Sequence, residues 1–97
     1  MKIDRFEFTK KFEKSFTKLT TGEQTRVGTS LVKASIDLSD PSLHLHELKG
    51  AKTGTMSLNA GGDLRILCRI WDEDTEDEGT KTVALLLIVG THSQLYG

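Results

Sequence analysis

Three histidines, one tyrosine and a pair of arginines stand where side chains of their type can move protons or hold an anion. His92 and Tyr96 follow the continuous apolar run from Val83 to Val89, which stops at Gly90. Such a run suits a strand buried on both faces. It hands an imidazole and a phenol to the end of a rigid scaffold. An imidazole takes up and releases protons near neutral pH. On spacing alone His92 also reads as a turn residue after a strand, and Tyr96 as an anchor for the tail. His44 and His46 form a His-x-His pair; in an extended chain both point to one side, with Leu43 and Leu45 on the other. Such a pair can ligate a metal, but no cysteine or third histidine stands nearby at metal-site spacing, so no metal or cofactor is expected. Arg65 and Arg69 share one face of a strand with Leu67 and Trp71, a face assigned to solvent or ligand. Arg65 lies nearer the sheet end that should carry His92.

The elements that must position these groups read as follows. Lys2 to Phe8 alternates, with Phe6 and Phe8 on the buried side of a strand. Thr9 is placed to cap a helix whose apolar stripe is Phe12, Phe16 and Leu19, with Lys10, Lys11, Lys14 and Lys18 elsewhere. Were Phe16 fully buried, its truncation to Ala would cost about 3–5 kcal/mol. Thr20 and Glu23 have capping-box spacing ahead of a second helix carrying Val27, Leu31, Ala34 and Leu38. Gly28 in that helix suggests a close helix–helix approach. Asp40-Pro41 ends the helical pattern. Gly54 to Asn59 and Leu64 to Trp71 are strands joined by the turn Ala60-Gly61-Gly62-Asp63. The acidic stretch from Asp72 to Glu78 links them, as a solvated loop, to the long apolar strand. The order is β-α-α-β-β-β: one α+β domain over residues 1–97, a helical hairpin packed on an antiparallel sheet whose other face is left free.

Composition narrows the class. The chain has 97 residues, of which 36% are hydrophobic, and net charge −1. That suits one small core and leaves no room for a separate cofactor-binding unit. Removing the six acids of the 72–78 stretch from the 14 leaves 8 against 13 bases, a body of +5. A basic body can meet a polyanion such as RNA, or it can be an ordinary mixed surface. The lone Cys68 cannot form an internal disulfide and fits a reducing cytoplasm. No signal-peptide pattern opens the sequence, and no apolar run is long enough to span a membrane as a helix.

The segments HELKG, then GxxSLNAGGDLRIL, then VALLLIVGTHSQLYG together resemble the RelE/YafQ-type toxins of toxin–antitoxin modules. The resemblance covers about residues 43–97, and the β-α-α prefix is compatible with the same fold. The tail from Gly90 to Gly97 is similar to the YafQ-like branch, whose members are metal-independent endoribonucleases that cut mRNA on the ribosome. The resemblance implies catalytic roles for His46, Asp63, His92 and Arg65, and substrate binding by Tyr96, Lys49 and Arg69. Two departures stand out. Ser57 and Asn59 occupy positions where YafQ-like members carry an acid and a further histidine. His92 stands where the RelE branch has a second arginine.

What the resemblance implies is chemically coherent. Metal-free RNA cleavage needs a base for the 2′-OH, an acid for the departing 5′-oxygen, and positive charge at the phosphorane. Two histidines suit the proton transfers, with His46 as base and His92 as acid in the first assignment. Asp63 would orient an imidazole or favour its protonated form. Arg65 would stabilise phosphate charge, and Tyr96 would stack on a base. The resemblance also implies a cytoplasmic protein with a cognate antitoxin that folds on binding. The superfamily's ParE-like members, which poison DNA gyrase by binding, supply a second reading, and an inactive homologue that only binds the antitoxin is a third. The acidic stretch would repel RNA, so it is expected away from the His46/His92 end.

Overall fold

A computed structural model describes residues 1–50 and 54–96 of the chain. In order these form β1 (Arg5–Phe8), α1 (Lys10–Thr17), α2 (Thr21–Ile36), a 3-10 turn (Pro41–Leu43), β2 (His46–Glu47), β3 (Met56–Asn59), β4 (Leu64–Thr75), β5 (Gly79–Thr91) and α3 (His92–Tyr96). The strands lie in the order β1-β5-β4-β3-β2. The last four pair antiparallel, while β1 runs parallel to β5. The sheet is therefore mixed, where local spacing suggested an antiparallel one. Parallel neighbours need a long connection, and the helices and meander between β1 and β5 supply it. Asp4 locks the start of that pairing: its N–H donates to the Thr82 carbonyl at 2.8 Å, and its carboxylate accepts from the Thr82 N–H at 2.8 Å.

Caps set the two long helices as their spacing implied. The Thr9 hydroxyl accepts from the Phe12 N–H, and Thr20 with Glu23 closes a complete capping box. The hairpin buries Phe12, Val27 and Ala34 against Leu58, Leu64, Ile66, Cys68, Ala84 and Leu86 of the sheet. Phe12 is 4% exposed whereas Phe16 is only half-buried, so the full cost of a Phe→Ala truncation belongs to Phe12. Gly28 marks no close approach; it is exposed, and no atom of the described residues lies within 4 Å of where a Cβ would stand. Ser30 is buried and donates to the Asn59 carbonyl at 3.1 Å, which ties α2 to the end of β3.

One irregularity aims the end of β5. Leu67 pairs with Ile88 but Cys68 pairs with Leu86, so Leu87 is an extra residue, a β-bulge. A one-residue insertion exchanges the faces of the strand beyond it. Val89 thereby returns to the core, and Gly90, opposite Arg65, turns to the other face. Helix α1 braces the bulge. The Thr9 hydroxyl donates to the Leu87 carbonyl at 2.9 Å, and the Ser15 hydroxyl accepts from the Val89 N–H at 3.1 Å.

The acidic stretch is not a loop. β4 and β5 continue as a ribbon to Thr75 and Gly79, and only residues 76–78 turn. Asp72 and Asp74 face Thr82 and Thr80 across the ribbon and accept their hydroxyl protons at 2.8 and 2.9 Å. Glu73 takes the Trp71 indole N–H at 3.1 Å and the Arg5 guanidinium at 3.0 Å. Local threonine partners let these acids stay in extended chain. Leu64 and Thr91 close the opposite end of the same ladder, roughly 36 Å away at 3.3 Å per residue.

Candidate active site

The end of the sheet remote from the ribbon gathers the titratable groups. His44, His46, Leu48, Arg65, His92 and Tyr96 line one open depression of about 360 Å³. That lies near the lower end of the range for ligand sites, about 300–1,000 Å³. Strand register explains the gathering. His46 pairs with Ser57, Asn59 with Arg65, and Arg65 with Gly90, the last glycine before the turn into α3. Four sequence segments therefore meet across neighbouring strands.

His46 is oriented by its own neighbour. The 3-10 turn ends on His44, which adopts a left-handed backbone at φ 43°. The His44 carbonyl lies 2.9 Å from His46 Nδ1. A carbonyl only accepts, so Nδ1 is the protonated nitrogen and Nε2 carries the lone pair of the neutral ring. The His44 ring packs beside His46 with centroids 5.0 Å apart.

His92 is positioned through its backbone. Thr91 and Gln94 form a second capping box: the Thr91 N–H donates to Gln94 Oε1 at 2.8 Å, and the Gln94 N–H to Thr91 Oγ1 at 3.3 Å. No helix was expected here; the T-x-x-Q spacing is the signal that marks its start. Asp63 completes the arrangement. Its carbonyl accepts from the His92 N–H at 2.9 Å, and its carboxylate lies 3.3 Å from the same nitrogen. Asp63 thus holds the main chain that carries His92, not an imidazole, and it does not line the depression. The Tyr96 ring stands edge-on to His92 with centroids 4.5 Å apart. Its hydroxyl reaches the buried Ser57 hydroxyl at 3.5 Å, the long limit of a hydrogen bond. Helix α3 thereby covers part of the sheet face that the sequence left free; Leu67 on that face is 3% exposed.

Arg65 is anchored but not neutralised. Its Nη1 donates to Asn59 Oδ1 at 2.8 Å and to the carbonyls of Gly62 and Leu64 at 2.8 and 3.0 Å. All three acceptors are uncharged, and among the described residues no carboxylate pairs with this guanidinium. Among the described residues Nε and Nη2 make no hydrogen bond, so both can meet an anion. Asn59 therefore has a role that its sequence position did not disclose. It fixes the arginine without cancelling its charge. Arg69 and Lys49 are exposed and do not line the depression. Arg69 stands four residues along β4, about 13 Å from Arg65 by strand rise, with Nη1 over Gly54. Among the described residues no group of three or more metal-ligating side chains comes together. Gly97, the last residue of the tail motif, lies outside the described residues.

No protein-family model matches the chain, and no curated protein matches its sequence. Solved structures do match. YafQ from E. coli superposes with TM-score 0.67 at 15% identity, over 95% of this chain and 97% of that one. A YoeB/ParE toxin from Agrobacterium tumefaciens gives TM-score 0.69 at 13% identity, over 95% and 99%. The chain has the RelE/YafQ toxin fold. A third similar structure with that fold is the RelBE2 toxin–antitoxin complex from Mycobacterium tuberculosis, with TM-score 0.55 and 27% identity over 91% and 96%. Within the RelE/YafQ fold, this chain's depression sits where β4 begins and β5 ends at the α3 turn.

Proposed function

We propose that this protein is the toxin of a type II toxin–antitoxin module and a metal-independent endoribonuclease that cuts mRNA on the ribosome. The observation that carries the reading is one shared depression lined by three imidazoles, those of His44, His46 and His92, and by the Arg65 guanidinium, which pairs with no carboxylate among the described residues, with His46 Nδ1 tied to a carbonyl. In the neutral ring, Nε2 of His46 takes the 2′-OH proton. The 2′-oxygen then attacks phosphorus, and Arg65 holds the non-bridging oxygens through Nε and Nη2. The bond from phosphorus to the 5′-oxygen breaks, and His92 as imidazolium protonates that oxygen. The products are a 2′,3′-cyclic phosphate and a free 5′-hydroxyl. Tyr96 walls the site and offers a ring edge or face to a base. Asp63 acts through the backbone of His92, as a positioning residue.

A cognate antitoxin belongs to the same proposal, because structures of this fold include a toxin–antitoxin complex. Exposed apolar side chains are in keeping with a partner: Phe8 is 53% exposed, Val32 58% and Ile36 71%.

The test is purified protein on translating ribosomes, with mRNA ends mapped. Parent protein should produce new 5′-hydroxyl ends, and His92→Ala should cut roughly 10²–10⁴-fold more slowly. Equal cutting by His92→Ala would remove the acid assignment. No mRNA ends together with loss of gyrase supercoiling would replace the nuclease reading with a gyrase-binding one.

A further inference from the structure

A second basic feature lies outside the depression. Lys11, Lys14 and Lys18 recur at i, i+3 and i+7, so they share one side of α1 and its C-terminal end. All three are exposed, and among the described residues none takes part in an ion pair. They line a groove of about 380 Å³ whose opposite wall is Ile88, Val89, Thr91, Gln94 and Leu95. The carboxylate in that lining is Glu23, already engaged by the Thr20 N–H in the capping box of α2. The groove therefore presents three cations against one committed anion. Thr91 and Gln94 also form the box that starts α3, and His92, the residue between, lines the depression. Groove and depression flank the same short helix. The acidic ribbon projects from the other end of the sheet, so the field across the molecule favours a polyanion at this end.

We propose that this groove carries the sugar–phosphate backbone of the RNA strand beside the bond being cut. Its lysines meet successive phosphates, and the side chains of Ile88 and Leu95 give the riboses an apolar floor. A single strand fits because its backbone can bend around α3 from depression to groove. A rigid duplex cannot follow that path. The inference rests on the RNA-cleaving reading for the continuity of the strand, but its test reads binding alone.

The probe is a fluorescein-labelled single-stranded RNA of about eight nucleotides with every 2′-oxygen methylated, which removes the nucleophile. Anisotropy titrations from about 0.05 to 0.2 M salt compare parent protein with the triple variant Lys11→Gln, Lys14→Gln, Lys18→Gln. The triple variant should bind at least about tenfold more weakly at 0.1 M salt. The slope of log K against log salt should shrink by about 2, since each phosphate neutralised on a single strand contributes about 0.7. A triple Lys→Arg variant should bind like the parent. Lys33→Gln, whose Nζ donates to the Ser42 hydroxyl on another side of the molecule, should leave affinity unchanged. Circular dichroism and Tm confirm folding of each variant. The proposal is overturned if the triple Gln variant keeps the parent's affinity and slope, if the parent prefers duplex RNA, or if the parent does not bind. Lysine-dependent binding without mRNA cutting would support the groove while rejecting the nuclease reading. Cutting with lysine-independent binding would do the reverse.

Discussion

Replacing Gly90 by Ala should loosen α3 without weakening the fold as a whole. Gly90 lies in the β5 ladder opposite Arg65, and its φ is not positive, so Ala meets no backbone strain there. The steric conflict is confined to α3. An added Cβ would stand 2.9 Å from Gln94 Oε1, 3.3 Å from Leu95 Cδ2 and 3.5 Å from Gln94 Cβ. The first contact is too short, and the Gln94 side chain can retreat only by giving up the Thr91 N–H that it holds at 2.8 Å. Losing that half of the capping box costs about 1 kcal/mol. Removing a glycine from the unfolded chain returns about 0.4–1 kcal/mol. Global stability should therefore change little, while local opening of α3 rises about fivefold. Hydrogen exchange reads both. The amides of Gln94, Leu95 and Tyr96 should exchange about fivefold faster, and those in the middle of β5 at the parent rate. A double-mutant cycle with Gln94→Ala sharpens the test, because both changes remove one hydrogen bond and should be strongly non-additive. Unchanged α3 exchange, or fully additive effects, would refute the capping account of how His92 is held.

Further expectations follow from single contacts. Asn59→Asp keeps an acceptor for Arg65 and the Gly61 N–H, gives up the long Nδ2 bond to the Ser42 carbonyl, and adds a negative charge to the arginine's anchor; cleavage should fall roughly tenfold, about 1.4 kcal/mol of lost phosphate stabilisation, in a variant that circular dichroism shows to be folded. Burial pushes the Cys68 thiol up to about 12, so iodoacetamide at pH 8 should label it in denaturant and leave it unmodified in the native protein. The Asp40 carboxyl is held below the usual carboxylate range, first by the Ser42 hydroxyl and then by the Ser42 N–H. Because its folded value is the lower one, this contribution is present above the ordinary value near pH 4 and fades as pH falls through the folded value. Acid titration followed by the Ser42 amide signal should show the turn before His44 releasing in that window, and Asp40→Ala should abolish the transition.

The long elements were readable because their signals are local. Thr9, Thr20 and Glu23 cap with the side chains their spacing suggested, the apolar periods of α1 and α2 match buried faces, and the apolar run from Val83 to Val89 is a strand buried at Val83, Ala84, Leu86 and Val89. The departures arise where a residue's partner is distant. Phe12 is fully buried in the core, whereas Phe16, on the same helical stripe, packs against it only partly buried. The acids of the ribbon were read as a loop from their charge, yet cross-strand threonines keep them extended.

The amino-acid order by itself determined an α+β fold with a helical hairpin and placed His92 and Tyr96 just past a buried strand, because capping and periodicity act over a few residues. Only the tertiary structure decided that the sheet is mixed, that the bulge at Leu87 turns Gly90 toward Arg65, and that His44, His46, Arg65, His92 and Tyr96 share one depression. It also gave Asp63 a backbone to hold and Asn59 an arginine to anchor. Such roles depend on strand register and on which carbonyl or amide comes within hydrogen-bonding reach, and residues far apart in the chain acquire them only when the sheet closes.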